Sequence, residues 1–268
     1  MTEFALNTLL FEFRKPLIEQ IIHYLDLHST TKGLDLGCGT GHITQLLAQN
    51  AGDTSEIIGL DYSEENINYA KRAFQQKNIE FFQGDINNLL FSSNTFDWIF
   101  SMDTLWVGPQ KYGCPTQDPY PILQKLHSLL KTGGKLYLAY WTSQKFLPGY
   151  PLLEARLNTT PSATAPFQED MSPDFHVMNA KKWLCKAGFD TIKATTFVGT
   201  LNGPLQENDK KALASLFEML WENSKHHVSQ EDWNNYTKFC RLESNDFVAN
   251  DSNYHGFYTY SLFEATKL

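Results

Sequence analysis

Apolar positions along the chain recur first at helical and then at strand spacing. Leu17, Ile18, Ile21, Ile22 and Leu25 repeat every three or four residues, and Pro16 suits a first helical turn, so the spacing predicts an amphipathic helix starting there. A regular alternation follows. GLDLG (33–37) reads as a buried strand, Ile43, Leu46 and Leu47 fall on one face of a helix, and EIIGLD (56–61) reads as a second strand. Ser63 is then placed to cap a helix carrying Ile67, Ala70, Ala73 and Phe74. IEFFQGD (79–85), FDWIFSM (96–102) and KLYLAYW (135–141) continue the strands, with PILQKLHSLL as a helix stopped at Thr132-Gly133-Gly134. Strands alternating with helices imply a parallel sheet, and right-handed crossovers make it a doubly wound α/β fold whose ligand crevice lies at the carboxyl ends of the strands.

The alternation breaks after Trp141. Residues 142–178 contain Pro148, Pro151, Pro161, Pro166 and Pro173, which marks a long insertion, expected on the substrate side. NAKKWLCKAGF (179–189) reads as a capped helix, TIKATTFVG (191–199) as a strand and HGFYTYSLFEATK (255–267) as a late alternating strand. Between the last two, helical stretches around DKKALASLFEMLWEN and SQEDWNNYTKFC form a second insertion, 200–252. No repeat or linker divides the chain, so residues 1–268 are expected to be one domain with lid-like insertions.

Composition narrows the function classes. With 42% hydrophobic and 19% charged residues, the chain has enough apolar material to bury a core, which excludes a wholly disordered protein. A formal net charge of −8 disfavours a broad grip on a phosphate backbone, so no nucleic-acid partner is expected. Cys38, Cys114, Cys185 and Cys240 form no Cys-x-x-Cys pair, and MTEFALNTLLFEFRK sets acidic and polar residues among its apolar ones, unlike a secretory signal. No apolar run approaches the roughly 18 to 20 residues of a membrane span. A cytoplasmic protein with reduced thiols is expected; the oligomeric state stays open.

The chemistry gathers in LDLGCGTGH (34–42), a strand running into Gly37-x-Gly39-x-Gly41 and then a helix. Glycine is wanted where backbone must approach a ligand closely or adopt positive φ. The rival dinucleotide fingerprint G-x-G-x-x-G asks for glycine where His42 stands. Asp35, just before the loop, suits an ammonium group better than a pyrophosphate. Asp61, ending the second strand, is placed to accept hydrogen bonds from both hydroxyls of a ribose. Gly84-Asp85-Ile86 offers an acid for the amine of adenine and an apolar side chain for its ring, although an acid at a strand end also suits a plain turn.

LDLGCGTGHIT, GLDYSEENINYAKR, QGDINNL, FDWIFSM and LLKTGGKLYLAYW, in this order, resemble class I S-adenosylmethionine-dependent methyltransferases over roughly residues 16–142, together with WLCKAGF and the final strand. The resemblance implies a Rossmann-like seven-stranded sheet, six strands parallel and one antiparallel, with the last strand inserted next to the fifth. It assigns Gly37, Gly39 and Gly41 to the methionine end of the cofactor, with Asp35 near the ammonium. It gives the ribose to Asp61, the adenine to Tyr62, Asp85 and Ile86, and a place near the sulfonium to Ser101. Arg14 is a weaker partner for the methionine carboxylate, more simply a solvated arginine.

The acceptor side is less marked. Methyl transfer from a sulfonium is an in-line displacement, so positioning can supply much of the acceleration, and a general base is needed only for an acceptor that arrives protonated. SMDTLWVGPQKYGCP (101–115) offers Asp103, Trp106 and Tyr112. The family's enzymes acting on adenine or glutamine amines carry an N/D-P-P-Y/F motif there, which SMDTLW lacks, so a nucleic-acid base or glutamine acceptor is disfavoured; the cofactor motifs on an acidic, aromatic-rich chain make a small-molecule acceptor the expectation. Trp106, Tyr140 and Trp141 suggest an apolar or cation-holding wall, with core packing as the alternative. His176 is the candidate base, His42 is expected to face solvent, and His226-His227 lacks partners for a metal site. A cofactor-binding protein without turnover, a protein or RNA methyltransferase and a nicotinamide oxidoreductase remain as alternatives.

Overall fold

The computed structural model describes residues 3–25, 27–28, 31–110, 113–159 and 172–268. Its elements are α1 (Glu3–Tyr24), β1 (Lys32–Leu36), α2 (His42–Ala51), β2 (Glu56–Asp61), α3 (Glu64–Ala73), β3 (Ile79–Gln83) and β4 (Phe96–Met102). There follow α4 (Tyr120–Leu129), β5 (Leu130–Lys145), α5 (Pro151–Leu157), α6 (Ala180–Lys186), β6 (Asp190–Asn202), α7 (Glu207–Trp221), α8 (Gln230–Cys240) and β7 (His255–Thr266).

The strands form a seven-stranded sheet in the order β3-β2-β1-β4-β5-β7-β6, and β1 to β5 pair in parallel. The last strand reverses. Gly133 N–H donates to Lys267 O at 2.7 Å and Lys267 N–H to Gly134 O at 2.9 Å, so the end of β7 meets the start of β5. On its other side, Gly203 N–H donates to Tyr254 O at 2.7 Å, which sets β7 antiparallel to β6 as well. Six strands are therefore parallel and one antiparallel, the doubly wound arrangement expected from the sequence.

Register sorts the two faces of the sheet. Leu34, Ile99 and Leu136 lie side by side and join Leu123 and Leu126 of α4 and Trp183 of α6 in one hydrophobic cluster. Their neighbours Asp35, Phe100 and Tyr137 point to the opposite face. There Tyr137 Oη donates to Leu25 O at 3.1 Å, just past α1, and Asp35 meets Thr44 of α2. Leu17, Ile18 and Ile21 of α1 are each 0% exposed, and burying each stabilises the fold by roughly 1.5–3 kcal/mol.

Three local expectations are corrected. The first helix begins at Glu3 rather than at Pro16 and carries the proline inside it. An interior proline costs about 3 kcal/mol, but Leu10, Phe11 and Phe13 are buried and extend the apolar face upstream. On α2 the inward stripe is Thr44, Leu47, Ala48 and Ala51, while Ile43 and Leu46 are only half-buried. The fifth strand starts at Leu130, not Lys135, because Leu130 already pairs with Phe96 before a register shift; the preceding helix thus stops short of the glycines.

The chain divides into two compact units. One comprises Leu17–Thr142, Met171–Phe197 and Tyr260–Leu268; the other comprises Met1–Pro16, Ser143–Asp170 and Val198–Thr259. The second unit has its own aromatic core, in which Phe217 stacks on Trp221 with ring centroids 5.0 Å apart and meets Phe146 at 5.9 Å. Asn158 Oδ1 there accepts from both Gln144 Nε2 and Trp221 Nε1. Of the two expected insertions, residues 160–171 lie outside the described residues.

Candidate active site

The motif residues gather in the unit that contains β1 to β4. Where β1 ends, the chain turns through Gly37, Gly39 and Gly41 at φ 81°, 52° and 85°. Gly37 and Cys38 both donate their N–H to Leu60 O, at 2.8 and 3.0 Å, which pins the loop to the end of β2. A side chain at Gly41 would place its Cβ 2.9 Å from Ala70 Cβ and from Phe81 Cζ, so that glycine lets α2 start close against α3 and β3. At Gly39 an added Cβ would meet nothing within 4 Å. The middle of the loop is thus bare backbone facing open space.

Asp61 ties this loop to β2 and α3. Its Oδ2 accepts from Gly39 N–H at 2.9 Å; its Oδ1 accepts from Ser63 N–H at 2.9 Å and from Asn66 Nδ2 at 3.2 Å. Ser63 Oγ caps α3 through Asn66 N–H, as expected. A carboxylate offers about four lone-pair directions, so three fixed donors leave one open, on Oδ2. Tyr62, the next residue, is 74% exposed.

Asp35 lies at the opposite extreme of exposure. It is 2% exposed, and its Oδ2 accepts a hydrogen bond from Thr44 Oγ1 at 2.6 Å. Loss of water raises its pKa from 3.8 to about 7; the Thr44 hydroxyl opposes the rise and the charge of Asp61 adds to it. Burial also pushes the Cys38 thiol up, leaving it protonated and inert.

The remaining cofactor-side residues are placed as follows. Asp85 is exposed, and its Oδ1 accepts from Asn87 N–H at 2.8 Å and Asn87 Nδ2 at 3.1 Å, an Asx turn after β3. Ile86 is 8% exposed and packs in the cluster with Leu36, Leu60 and Leu89. Ser101 is buried and donates to Leu36 O at 2.9 Å, stapling β4 to the end of β1. Arg14 donates from Nε to Leu10 O on its own helix. His42 does not face solvent as expected: it is half-buried, with Nδ1 2.9 Å from Thr40 Oγ1 and its ring against Phe74 and Tyr69.

Beyond β4, among the residues expected to face an acceptor, one carboxylate joins three strands. Asp103 follows β4 at φ 52°, a left-handed conformation that aspartate tolerates. Its Oδ1 accepts from Trp141 N–H of β5 at 2.9 Å, and its Oδ2 accepts from the Tyr260 hydroxyl of β7. The Trp141 ring meets Tyr260 edge-on at 5.6 Å. Trp106 instead packs edge-on against Tyr140 at 5.4 Å, beside the cluster that includes Phe263. Because Tyr140 and Trp141 are adjacent in one strand, their side chains leave on opposite faces, so Trp106, Tyr140 and Trp141 do not make one wall. His176 is exposed and accepts from Met178 N–H at 3.2 Å, capping a short 3₁₀ turn; desolvation lowers its pKa. Tyr112 lies outside the described residues. His226 and His227 are exposed after α7, and no group of three metal-ligating side chains occurs among the described residues.

Thr44, Asn66 and Tyr260 were not anticipated. Thr44 had a signal, a hydroxyl residue at an inward helical position nine residues after a strand-end acid. Asn66 and Tyr260 had none, because their partners depend on a helix start and on strand order. In the other unit, a surface groove of about 710 Å³ beside Trp233 and Thr237 holds no motif residue. Two of its cations are already paired, Arg241 with Glu222 and Lys238 with Asp246.

A methyltransferase-domain family model matches residues 27–239. Demethylmenaquinone methyltransferase of Staphylococcus saprophyticus is 32% identical over 143 residues, covering 53% of this chain and 58% of that protein, so the match spans little more than half of the relative. Among solved structures, a SAM-dependent methyltransferase from Aquifex aeolicus superposes with a TM-score of 0.53 at 16% identity, covering 100% of both chains. Phosphoethanolamine N-methyltransferase 2 of Haemonchus contortus, bound to phosphomonomethylethanolamine and S-adenosylhomocysteine, gives 0.52 at 18% identity, covering 93% of this chain and 52% of that one. Those two likenesses speak for the fold; the family model spans well over half of the sequence, and the chain belongs to the methyltransferase-domain family.

Proposed function

We propose that this chain transfers a methyl group from S-adenosylmethionine to a small-molecule acceptor by in-line displacement. The observation that carries the reading is the pairing of bare loop backbone at Gly39 with an Asp61 carboxylate held in place and one lone-pair direction short of saturation. These residues fit the cofactor: Gly37, Gly39 and Gly41 receive its methionine end, Asp35 its ammonium, and Asp61 its ribose hydroxyls. Tyr62 covers the adenine, and Asp85 and Ile86 take its edge and ring. An ammonium beside Asp35 favours the ionised carboxylate and so offsets the rise that burial causes.

When bound, the cofactor supplies an electrophilic methyl on a sulfonium that leaves as a neutral thioether. The protein's part is then alignment and exclusion of water. Ser101 fixes the ends of β4 and β1 near the sulfonium. Trp141 leaves β5 on the same sheet face as Asp35, its N–H held by Asp103, and we assign both to the acceptor side, whereas Trp106 contributes packing from the other face. His176, the candidate base, has its pKa lowered by desolvation, and because its Nδ1 accepts from Met178 N–H it would have to give up that bond to take a proton from an acceptor that arrives protonated. The relatives' name, demethylmenaquinone methyltransferase, supports a small organic acceptor. Four free thiols, three of them buried, support a reducing, cytoplasmic setting.

Incubating the protein with methyl-labelled S-adenosylmethionine and a metabolite extract tests the reading. Label should enter the small-molecule fraction and vanish with Asp61→Ala. Label confined to protein or RNA would overturn the acceptor class, and no transfer above the variant's background would overturn turnover.

A further inference from the structure

Asp35 is buried near the end of β1, and the group that donates to its carboxyl is a neutral hydroxyl, Thr44 Oγ1 at 2.6 Å. The elements packed around it bring no counter-charge. From β2 comes Asp61, a like charge, and from the glycine loop comes the Cys38 thiol, which burial keeps protonated. β4 sets the apolar Phe100 beside Asp35 in register, and α2 presents Thr44, itself 0% exposed. No cation among the described residues pairs with Asp35. One hydroxyl does not repay the loss of water around a carboxylate, so such a group tends to keep its proton. Burial lifts its pKa to about 7, which places the loss of that proton at neutral pH.

We propose that cofactor capture by this chain is coupled to release of a proton: Asp35 is the neutral acid in the free site, the ligand's α-ammonium replaces the proton as its partner, and the proton leaves to solvent. Charge balances, because a neutral acid and an ammonium become an ion pair and a free proton. Thr44 is the positioning residue, its hydroxyl holding the carboxyl and setting the pH of the exchange. This rests on the reading of Asp35 as the ammonium's partner and adds regulation to that site. The sign follows from linkage. The ammonium prefers the ionised carboxylate, so affinity is full above pH 7 or so and falls on acidification, approaching about tenfold per pH unit.

Calorimetric titration with S-adenosylhomocysteine, which carries that α-ammonium, at about pH 5.5, 6.5 and 7.5 in paired buffers of different ionisation heat tests this. Wild type should bind about tenfold or more weakly at the lowest pH than at the highest, and the buffer pairs should show proton release on binding. Asp35→Asn should bind with nearly one affinity throughout and release no proton. Thr44→Val, which keeps the shape and removes the donor, should move the fall in affinity to higher pH. A merely structural threonine would weaken binding alike at every pH, and that result overturns its role. Binding by wild type that is flat with pH, or proton release that persists in Asp35→Asn, as it would were His42 the source, overturns the proposal. Should Asp35→Asn fail to fold, the shift in Thr44→Val still assigns the proton to Asp35, and its absence refutes the assignment. No binding by wild type at millimolar ligand at any of these pH values would instead bring down the cofactor reading itself, and this inference with it.

Discussion

A carboxyl group removed from water beside an inward-facing threonine governs how Asp35 responds to pH. Its pKa is about 7 in the folded chain against 3.8 for an ordinary aspartate, so between these limits the folded state holds a proton that the unfolded state has lost. Stability contributed at low pH is therefore lost as pH rises from about 4 through 7, on the order of 4 kcal/mol in all. Asp35→Asn keeps an acceptor for Thr44 and carries no such penalty. Thermal melts should place the variant near wild type at pH 4 and above it at pH 8, by on the order of 5–10 °C. A variant advantage that does not grow with pH would refute the buried-acid account. The same variant should bind S-adenosylhomocysteine more weakly, because the ammonium loses its counter-charge, so stability and function move in opposite directions here.

Among the secondary-structure elements, the β1–loop–α2 junction separates two uses of glycine. Gly41→Ala puts a methyl 2.9 Å from Ala70 and Phe81 at a positive φ, and should lower stability by about 2 kcal/mol or more, read from denaturant unfolding. Gly39→Ala meets no atom, so it should cost only about 1 kcal/mol of backbone strain while weakening S-adenosylhomocysteine binding by about tenfold or more through invasion of the ligand's space. Equal losses of binding and stability in both variants would rule out the distinction. The glycine spacing and the acid ending β2 were legible because strand ends and turns impose local demands on residue type. The course of α1 through Pro16 was not, because the burial of Leu10, Phe11 and Phe13 outweighs a local helix-breaking signal. Nor was the half-buried place of His42, which follows from Phe74 and Tyr69 on another helix end. Trp106 and Trp141 looked like one wall in the sequence, and strand pleating sends them to different faces.

For the chain as a whole, alternation of strands and helices was enough to read a doubly wound sheet, since parallel strands need crossovers and crossovers have one hand. The reversed last strand came from family resemblance, and Gly133, Gly134 and Lys267 now supply its hydrogen bonds. No helix among the described residues is long and apolar enough to cross a membrane. The acceptor residues were the least legible part, because displacement at a sulfonium demands alignment and no fixed set of catalytic groups. The proposed function turns on the bare loop and Asp61 holding an adenosyl sulfonium. Isothermal titration of S-adenosylhomocysteine into wild type and Asp61→Ala decides that point: micromolar binding by wild type, weakened about tenfold or more in the variant, is the expected outcome. Undetectable binding at millimolar ligand, or equal affinity in the two proteins, would refute it.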